Sequence, residues 1–295
     1  MHPLGPVWAD APTKEALACF AQADREAAQA VAAARESLAR AVDLVAGCLG
    51  RGGRLIYVGA GTSGRLGALD AAECPPTFQS QPGQIQAILA GGPGAMTQAI
   101  EGAEDDAQAG EEAVRLLGLG PEDCVLGISA SGGAPFVHGA LGWARQAGAH
   151  TLFLACVSEQ ERRDDYEVSI RLVTGPELLA GSTRLKAGTA TKMALGALST
   201  LVMARLGKVL GHRMVDVNTG GNAKLWQRGV DLVQEIAGLE RGPAEALLQA
   251  AHGSVKRACV MHACQLDREA ADRWLERCNG HLSLALRQTG EPRDR

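Results

Sequence analysis

Three short stretches set hydroxyl side chains beside glycine: Thr62-Ser63-Gly64, Ser129-Ala130-Ser131-Gly132 and Gly181-Ser182-Thr183. Each stands where a helix should begin. Unpaired backbone N–H groups at a helix start favour an anion, and hydroxyls beside them suit the oxygens of a phosphomonoester. Any one of these stretches alone reads as a helix N-cap. Three at one edge of one sheet point to a ligand. Two regions add carboxyl groups. Glu73 lies just past the first glycine turn and before Cys74-Pro75-Pro76, and Glu101, Glu104, Asp105 and Asp106 form an acidic cluster. A glutamate is ordinarily solvated, but the position of Glu73 is unusual for that role. Glu101 and Glu104, three apart, would share a helix face, and spacing does not choose between them. A phosphate cradle with carboxyl groups nearby implies acid–base chemistry on a small phosphorylated molecule.

The elements that must position these groups follow from the apolar pattern. Leu55-Ile56-Tyr57-Val58, bounded by glycine, reads as a buried strand. Gly59, Gly61 and Gly64 then satisfy G-x-G-x-x-G, so a dinucleotide fold is weighed first. That fingerprint needs an acid at the end of the second strand, and the second strand here ends in Leu89-Ala90-Gly91-Gly92. Thr62-Ser63 also fits a terminal phosphate better than a pyrophosphate. The helix that follows should stop at Pro75-Pro76.

Further strands are expected at 85–90, 124–128, 151–156 and 168–173. Helices are expected at 95–117 and from Ser182, as N-cap, to about 206. This alternation predicts an α/β fold: a doubly wound parallel sheet with helices on both faces, and ligands beyond the carboxyl ends of the strands. Thr13 to Leu49 reads as one or two helices with Thr13 as N-cap. After the loop Asn218–Gly221, helices at 223–236, 243–252, 255–264 and 267–278 make a small C-terminal helical bundle. The expected organisation is an N-terminal helical segment at 1–50, a phosphate-binding α/β domain at 51–217 and a C-terminal helical module at 218–295.

A net charge of −4 and a pI near 6.0, with no basic run interleaved with aromatics, argue against nucleic acid as a partner. The first residues lack a signal-peptide pattern. The uncharged run Met193–Ala204 is too short to span a bilayer. A cytoplasmic protein with no membrane partner is expected. The eight cysteines are scattered without a C-x-x-C pair, and Cys259, His262 and Cys264 fit no common zinc spacing. Free thiols, no metal and no cofactor are expected.

With those residues in hand, GGRLIYVGAGTSGRLGALDAAECPPTF, GGPGAMTQAIEGAEDD and GSTRLKAGTATKMALGALSTLVMARLGKV together resemble the N-acetylmuramic acid 6-phosphate etherases. MVDV at 214–217, NAKL at 222–225 and the C-terminal helices extend the likeness over nearly the whole chain. The resemblance implies a sugar isomerase-type (SIS) domain, a cytoplasmic homodimer and no metal. It also implies cleavage of the lactyl ether of MurNAc 6-phosphate to GlcNAc 6-phosphate and D-lactate in peptidoglycan recycling. By it, Glu73 is the acid that protonates the departing lactate and Glu104 the other active-site carboxylate. Thr62, Ser63, Ser129, Ser131, Ser182 and Thr183 fall to the sugar phosphate. The family pattern SASGRTP is replaced here by Ser129-Ala130-Ser131-Gly132-Gly133-Ala134-Pro135, without the arginine and threonine. The rivals are an aldose–ketose isomerase, which needs no acid at C3, and a sugar-phosphate-sensing regulator of the same fold.

Overall fold

The computed structural model describes residues 1–288. The chain divides into two units, one made of Met1–Cys74 with Gln81–Thr200, the other of Pro75–Ser80 with the chain from Leu201 onward.

The first unit is built on five parallel strands: β1 (Leu55–Gly59), β2 (Ile85–Leu89), β3 (Cys124–Ser129), β4 (His150–Ala155) and β5 (Val168–Arg171). Their order is β2-β1-β3-β4-β5, all parallel. The doubly wound sheet expected from the sequence is present. β1, β3 and β4 sit inside the sheet and are buried on both faces, which is why they read as continuous apolar runs rather than alternating ones.

Helices α1 (Thr13–Ala33) and α2 (Arg35–Gly50) precede the sheet. α1 opens on Pro12 with no side-chain cap, so Thr13 is its first residue rather than its N-cap. α3 (Gly61–Phe78) follows β1, α4 (Ala107–Arg115) and α5 (Pro135–Gln146) flank β3, and α6 (Lys186–Arg205) closes the series. On one face Ile56, Val58, Val125 and Phe153 pack with Val114 of α4 and Val137, Ala140 and Leu141 of α5. A Cβ on Gly127 would stand 2.6 Å from side-chain carbons of Val137 and Leu141, so glycine lets α5 lie against the strand. The other face takes α3: a Cβ on Gly67 would stand 2.9 Å from that of Tyr57.

Three expected boundaries move. The segment 95–117 is not one helix. Two 3-10 turns, Pro93–Met96 and Ala103–Asp105, precede α4. Gly102 takes φ 75°, outside the right-handed helical region, and the Asp106 carboxylate caps α4 by accepting from the Ala109 N–H at 2.8 Å. α3 does not stop at Pro75-Pro76 but runs to Phe78. Near a helix end, two prolines forfeit only two amide donors, and their fixed φ is helical. The chain leaves at Gln79, which takes φ 49°. α6 begins at Lys186, not at Ser182, for a reason that bears on the site.

The second unit contains a two-residue antiparallel pair, β6 (Val209–Leu210) and β7 (Arg213–Met214), not anticipated from the sequence. Beyond it come α7 (Ala223–Ala237), α8 (Arg241–Ala250), α9 (Val255–Cys264), α10 (Arg268–Arg277) and α11 (Leu282–Arg287). Asn222, Ser254 and Asp267 cap α7, α9 and α10 through their side chains. Val230, Val233, Leu248, Val255, Cys259 and Leu282 centre its core. Cys259 is a buried packing thiol, pushed up to about 12 by burial. Among the described residues no three His, Cys, Asp or Glu side chains converge as a metal-binding group, and no helix is long and apolar enough to cross a membrane.

Candidate active site

In an order β2-β1-β3 the chain leaves β1 toward one side and β3 toward the other. The connections after these two strands therefore splay apart beyond their carboxyl ends, which is where open α/β sheets bind ligands. A cavity of about 290 Å³ opens there. It is lined from the β1–α3 turn by Gly61, Thr62 and Ser63, from the β3–α5 turn by Ser129, Ser131 and Ala134, and from the loop before α6 by Gly181 and Thr183. Three hydroxyl-bearing turns remote in sequence thus meet. Ser182 does not line the cavity; its N–H donates to the Leu179 carbonyl at 3.0 Å.

Close approach explains the glycines at the first turn. A Cβ on Gly59 would lie 2.6 Å from the Gly64 nitrogen, and one on Gly64 would lie 2.5 Å from the Gly59 oxygen. The start of α3 is thereby pressed onto the end of β1, with its first amides directed at the cavity edge.

Glu104 lines the same cavity. It sits in the second 3-10 turn, exposed, and no hydrogen bond or ion pair engages it among the described residues. Glu104 also borders an adjoining cavity of about 280 Å³ with Glu101, Arg65 and Ala95. The loop geometry separates two glutamates that spacing could not: Glu104 borders both cavities and Glu101 only the second. Arg65, which no motif marks in the sequence, holds this wall. Its Nε donates to the carbonyls of Ala95 and Met96 at 2.9 and 3.2 Å, and its Nη2 donates to Gln98 at 2.9 Å.

Glu73 is elsewhere. Ten residues of α3 separate it from Ser63, about 15 Å of helix, directed away from the cavity edge. It lines a separate cleft of about 210 Å³ with Leu66, Leu69, Asp70, Lys192 and Leu195, and this cleft shares no residue with the hydroxyl cavity. One turn earlier on α3, Asp70 accepts from the Tyr57 hydroxyl at 2.8 Å and from the Ser199 hydroxyl at 3.0 Å. Burial raises its carboxyl above the usual range, with those two hydrogen bonds and Lys192 opposing. Cys74 is not a nucleophile in waiting: burial, and next the charge of Asp70, push its thiol up to about 12.

The loop before α6 owes its shape to Glu177, a second residue the sequence analysis passed over. Its buried carboxylate accepts from the N–H groups of Lys186 at 2.9 Å and Ala187 at 3.0 Å. The first amides of α6 are therefore taken by a side chain nine residues earlier. That is why the helix starts at Lys186 and residues 178–185 form a loop over the cavity. Lys186 is itself buried, its Nζ donating to Glu26 at 2.6 Å and to the Pro176 carbonyl at 3.1 Å.

Comparison with known proteins bears on what such a site serves. The family described as the glucokinase regulatory protein N-terminal SIS domain matches residues 37–145. An N-acetylmuramic acid 6-phosphate etherase of Prochlorococcus marinus (strain MIT 9303) is 49% identical over 278 residues, 94% of this chain and 88% of the relative. One from Synechococcus sp. (strain CC9605) is 50% identical over 274 residues, 93% of this chain and 86% of the relative. The chain belongs to the N-acetylmuramic acid 6-phosphate etherase family. Among solved structures, a phosphoheptose isomerase from Francisella tularensis is 16% identical, aligned over 66% of this chain and 100% of its own, with a TM-score of 0.49.

Proposed function

We propose that this protein is a carbon–oxygen lyase that cleaves the D-lactyl ether of N-acetylmuramic acid 6-phosphate, giving N-acetylglucosamine 6-phosphate and D-lactate. It does so in the cytoplasm, in peptidoglycan recycling. It works as a homodimer in which each cavity receives its second carboxyl group from Glu73 of the other copy. The observation that carries this reading is the division of the carboxyl groups: Glu104 shares the hydroxyl cavity, while Glu73 opens on a different cleft of the same chain.

The phosphate sits among the hydroxyls of Thr62, Ser63, Ser129 and Ser131 at the start of α3, with the loop bearing Ser182 and Thr183 closing over it. Charge-assisted hydrogen bonds of this kind contribute about 1.5–3 kcal/mol each. Opening of the sugar ring exposes an aldehyde at C1, which acidifies the proton on C2. Glu104, ionised, removes that proton. Glu73, protonated, gives its proton to the ether oxygen as the C3–O bond breaks, so lactate leaves neutralised at that oxygen. The product of this half is an α,β-unsaturated aldehyde. Water then adds at C3 and a proton returns to C2, yielding N-acetylglucosamine 6-phosphate. One carboxyl must start charged and the other neutral, a division that separate surroundings can impose.

The test is complementation. Glu73→Ala and Glu104→Ala should each lose about 10²–10⁴-fold in lactate release. Refolded together, the two inactive variants should form mixed dimers in which one of two sites is intact, so roughly a quarter of all sites regain activity. No recovery in mixtures shown to contain mixed dimers would place both glutamates in one chain's site. A regulator of the matched SIS type would bind the sugar phosphate and release it unchanged, so turnover itself excludes that alternative.

A further inference from the structure

The loop joining β4 to β5 carries an arginine whose backbone is fixed on both sides while its guanidinium stands unpaired among the described residues. The Arg162 N–H donates to the Ser158 carbonyl at 3.1 Å. That turn is tied by the Glu161 carboxylate, which accepts from both the N–H and the hydroxyl of Ser158 at 2.8 Å. The Arg162 carbonyl accepts from Arg171 Nη2 at 2.9 Å, and Arg171 is in turn ion-paired with Asp164 and placed over the Phe153 ring. Only the side chain of Arg162 is left without a protein partner.

That side chain lies across the Gly132–Gly133 pair. Its Cγ is 3.2 Å from where a Cβ on Gly132 would stand, and its guanidinium carbon is 3.0 Å from where a Cβ on Gly133 would stand. Gly132 takes φ 73°, which itself calls for glycine. Gly133 is not in the left-handed region, so its backbone accepts any residue. What excludes a side chain there is the guanidinium of Arg162. The residues flanking this pair, Ser131 and Ala134, both line the hydroxyl cavity. The charged group in the lining of that cavity is the carboxylate of Glu104, which repels a phosphate rather than attracting it. No cation lines the cavity, and the Arg162 side chain, anchored at its backbone and unpaired among the described residues, lies across the turn that joins two residues of the lining, Ser131 and Ala134.

We infer that Arg162 is a phosphate-binding residue. From the β4–β5 loop it supplies the charge that the SASGRTP pattern carries at the position occupied here by Gly133, and the loss of a side chain at 133 is what makes room for it. The inference rests on the sugar-phosphate reading of the cavity, but its test does not depend on turnover.

The measurement is calorimetric binding of N-acetylglucosamine 6-phosphate, which has the phosphate and lacks the lactyl group. Arg162→Ala should bind it about tenfold to a hundredfold more weakly. KM for N-acetylmuramic acid 6-phosphate should rise by a similar factor, with kcat held within about threefold. The double variant Arg162→Ala/Gly133→Arg should regain most of that affinity. Gly133→Arg alone, with two cations in one space, should bind worse than the double variant. The inference is overturned if Arg162→Ala binds the product as wild type does, or if only the lactyl-bearing substrate is affected. It is equally overturned if the double variant, with wild-type circular dichroism and melting temperature, recovers nothing, or if the wild-type protein binds no sugar phosphate. A wild-type protein that binds the product but releases no lactate would instead overturn the etherase reading and leave Arg162 standing.

Discussion

Replacing Glu177 by alanine should damage both the fold and the site, by amounts that follow from its bonding. The carboxylate satisfies two buried N–H groups at the start of α6, those of Lys186 and Ala187. Leaving a buried donor unpaired costs about 1–3 kcal/mol. Removing a negative charge from a helix N-terminus costs about 0.3–1 kcal/mol more. The expected loss is therefore on the order of 2–7 kcal/mol. For a protein of this size it corresponds to a fall in melting temperature of about 4–28 °C, taking about 2–4 °C per kcal/mol. Glu177→Gln keeps one acceptor and should lose about half as much. Because residues 178–185 are a loop only while Glu177 holds the helix start, the wall made by Gly181 and Thr183 should loosen too. Affinity for N-acetylglucosamine 6-phosphate should then fall about tenfold. Thermal unfolding by circular dichroism and calorimetric titration read the two effects. A melting temperature within about 2 °C of wild type would refute the capping argument. A lowered melting temperature with unchanged affinity would refute the link from Glu177 to the cavity.

Two further outcomes follow from the bonding around the sheet. Asp123 is pushed up by burial, but the Arg54 guanidinium and the N–H groups of Gly120 and Arg54 outweigh that and hold its carboxyl below the usual range. Its contribution is present above the unfolded carboxyl pKa of about 3.9 and is lost as pH falls through the folded value. Asp123→Asn should cost about 1–3 kcal/mol at pH 7, with the gap to wild type narrowing as the pH falls below about 4 in urea titrations; a gap that widens as the pH falls would contradict the assignment. Arg65→Ala frees three carbonyls of the cavity wall, so kcat/KM should fall at least tenfold while the melting temperature moves by only about 2 °C. Faster amide exchange over residues 93–104 should accompany the change, and unchanged kcat/KM would remove Arg65 from any positioning role.

The sheet was legible in the sequence because its central strands are buried on both faces and read as unbroken apolar runs. The three hydroxyl stretches were legible because each joins glycine to Ser or Thr, two of them at strand ends and the third in the loop before α6. Where the reading failed, long-range bonding had the deciding voice. Ser182 has the chemistry of an N-cap, but Glu177 takes the amides of α6 before a cap at Ser182 can form. The acidic run after β2 has helical composition, but Gly102 breaks it and turns Glu104 toward the cavity. Pro75-Pro76 looks like a stop, but the φ that each proline ring fixes is helical, and α3 continues to Phe78 with two amide donors lost. The separation of Glu73 from the cavity follows from the ten residues of continuous helix between Ser63 and Glu73. Arg162 carries no motif at all, and only the space over Gly133 singles it out.

The central claim is that the C3–O bond of the sugar breaks by elimination and that water replaces the lost oxygen. Purified protein should be incubated with N-acetylmuramic acid 6-phosphate in ¹⁸O-enriched water, with D-lactate and N-acetylglucosamine 6-phosphate analysed by mass spectrometry. Equal amounts of the two products are expected, with one heavy oxygen at C3 of the sugar phosphate, located by fragmentation and distinct from exchange at C1, and none gained by the lactate. Heavy oxygen in the lactate and none at C3 of the sugar would mean that the bond on the lactyl side is the one that breaks, and the roles given to Glu73 and Glu104 would then be wrong.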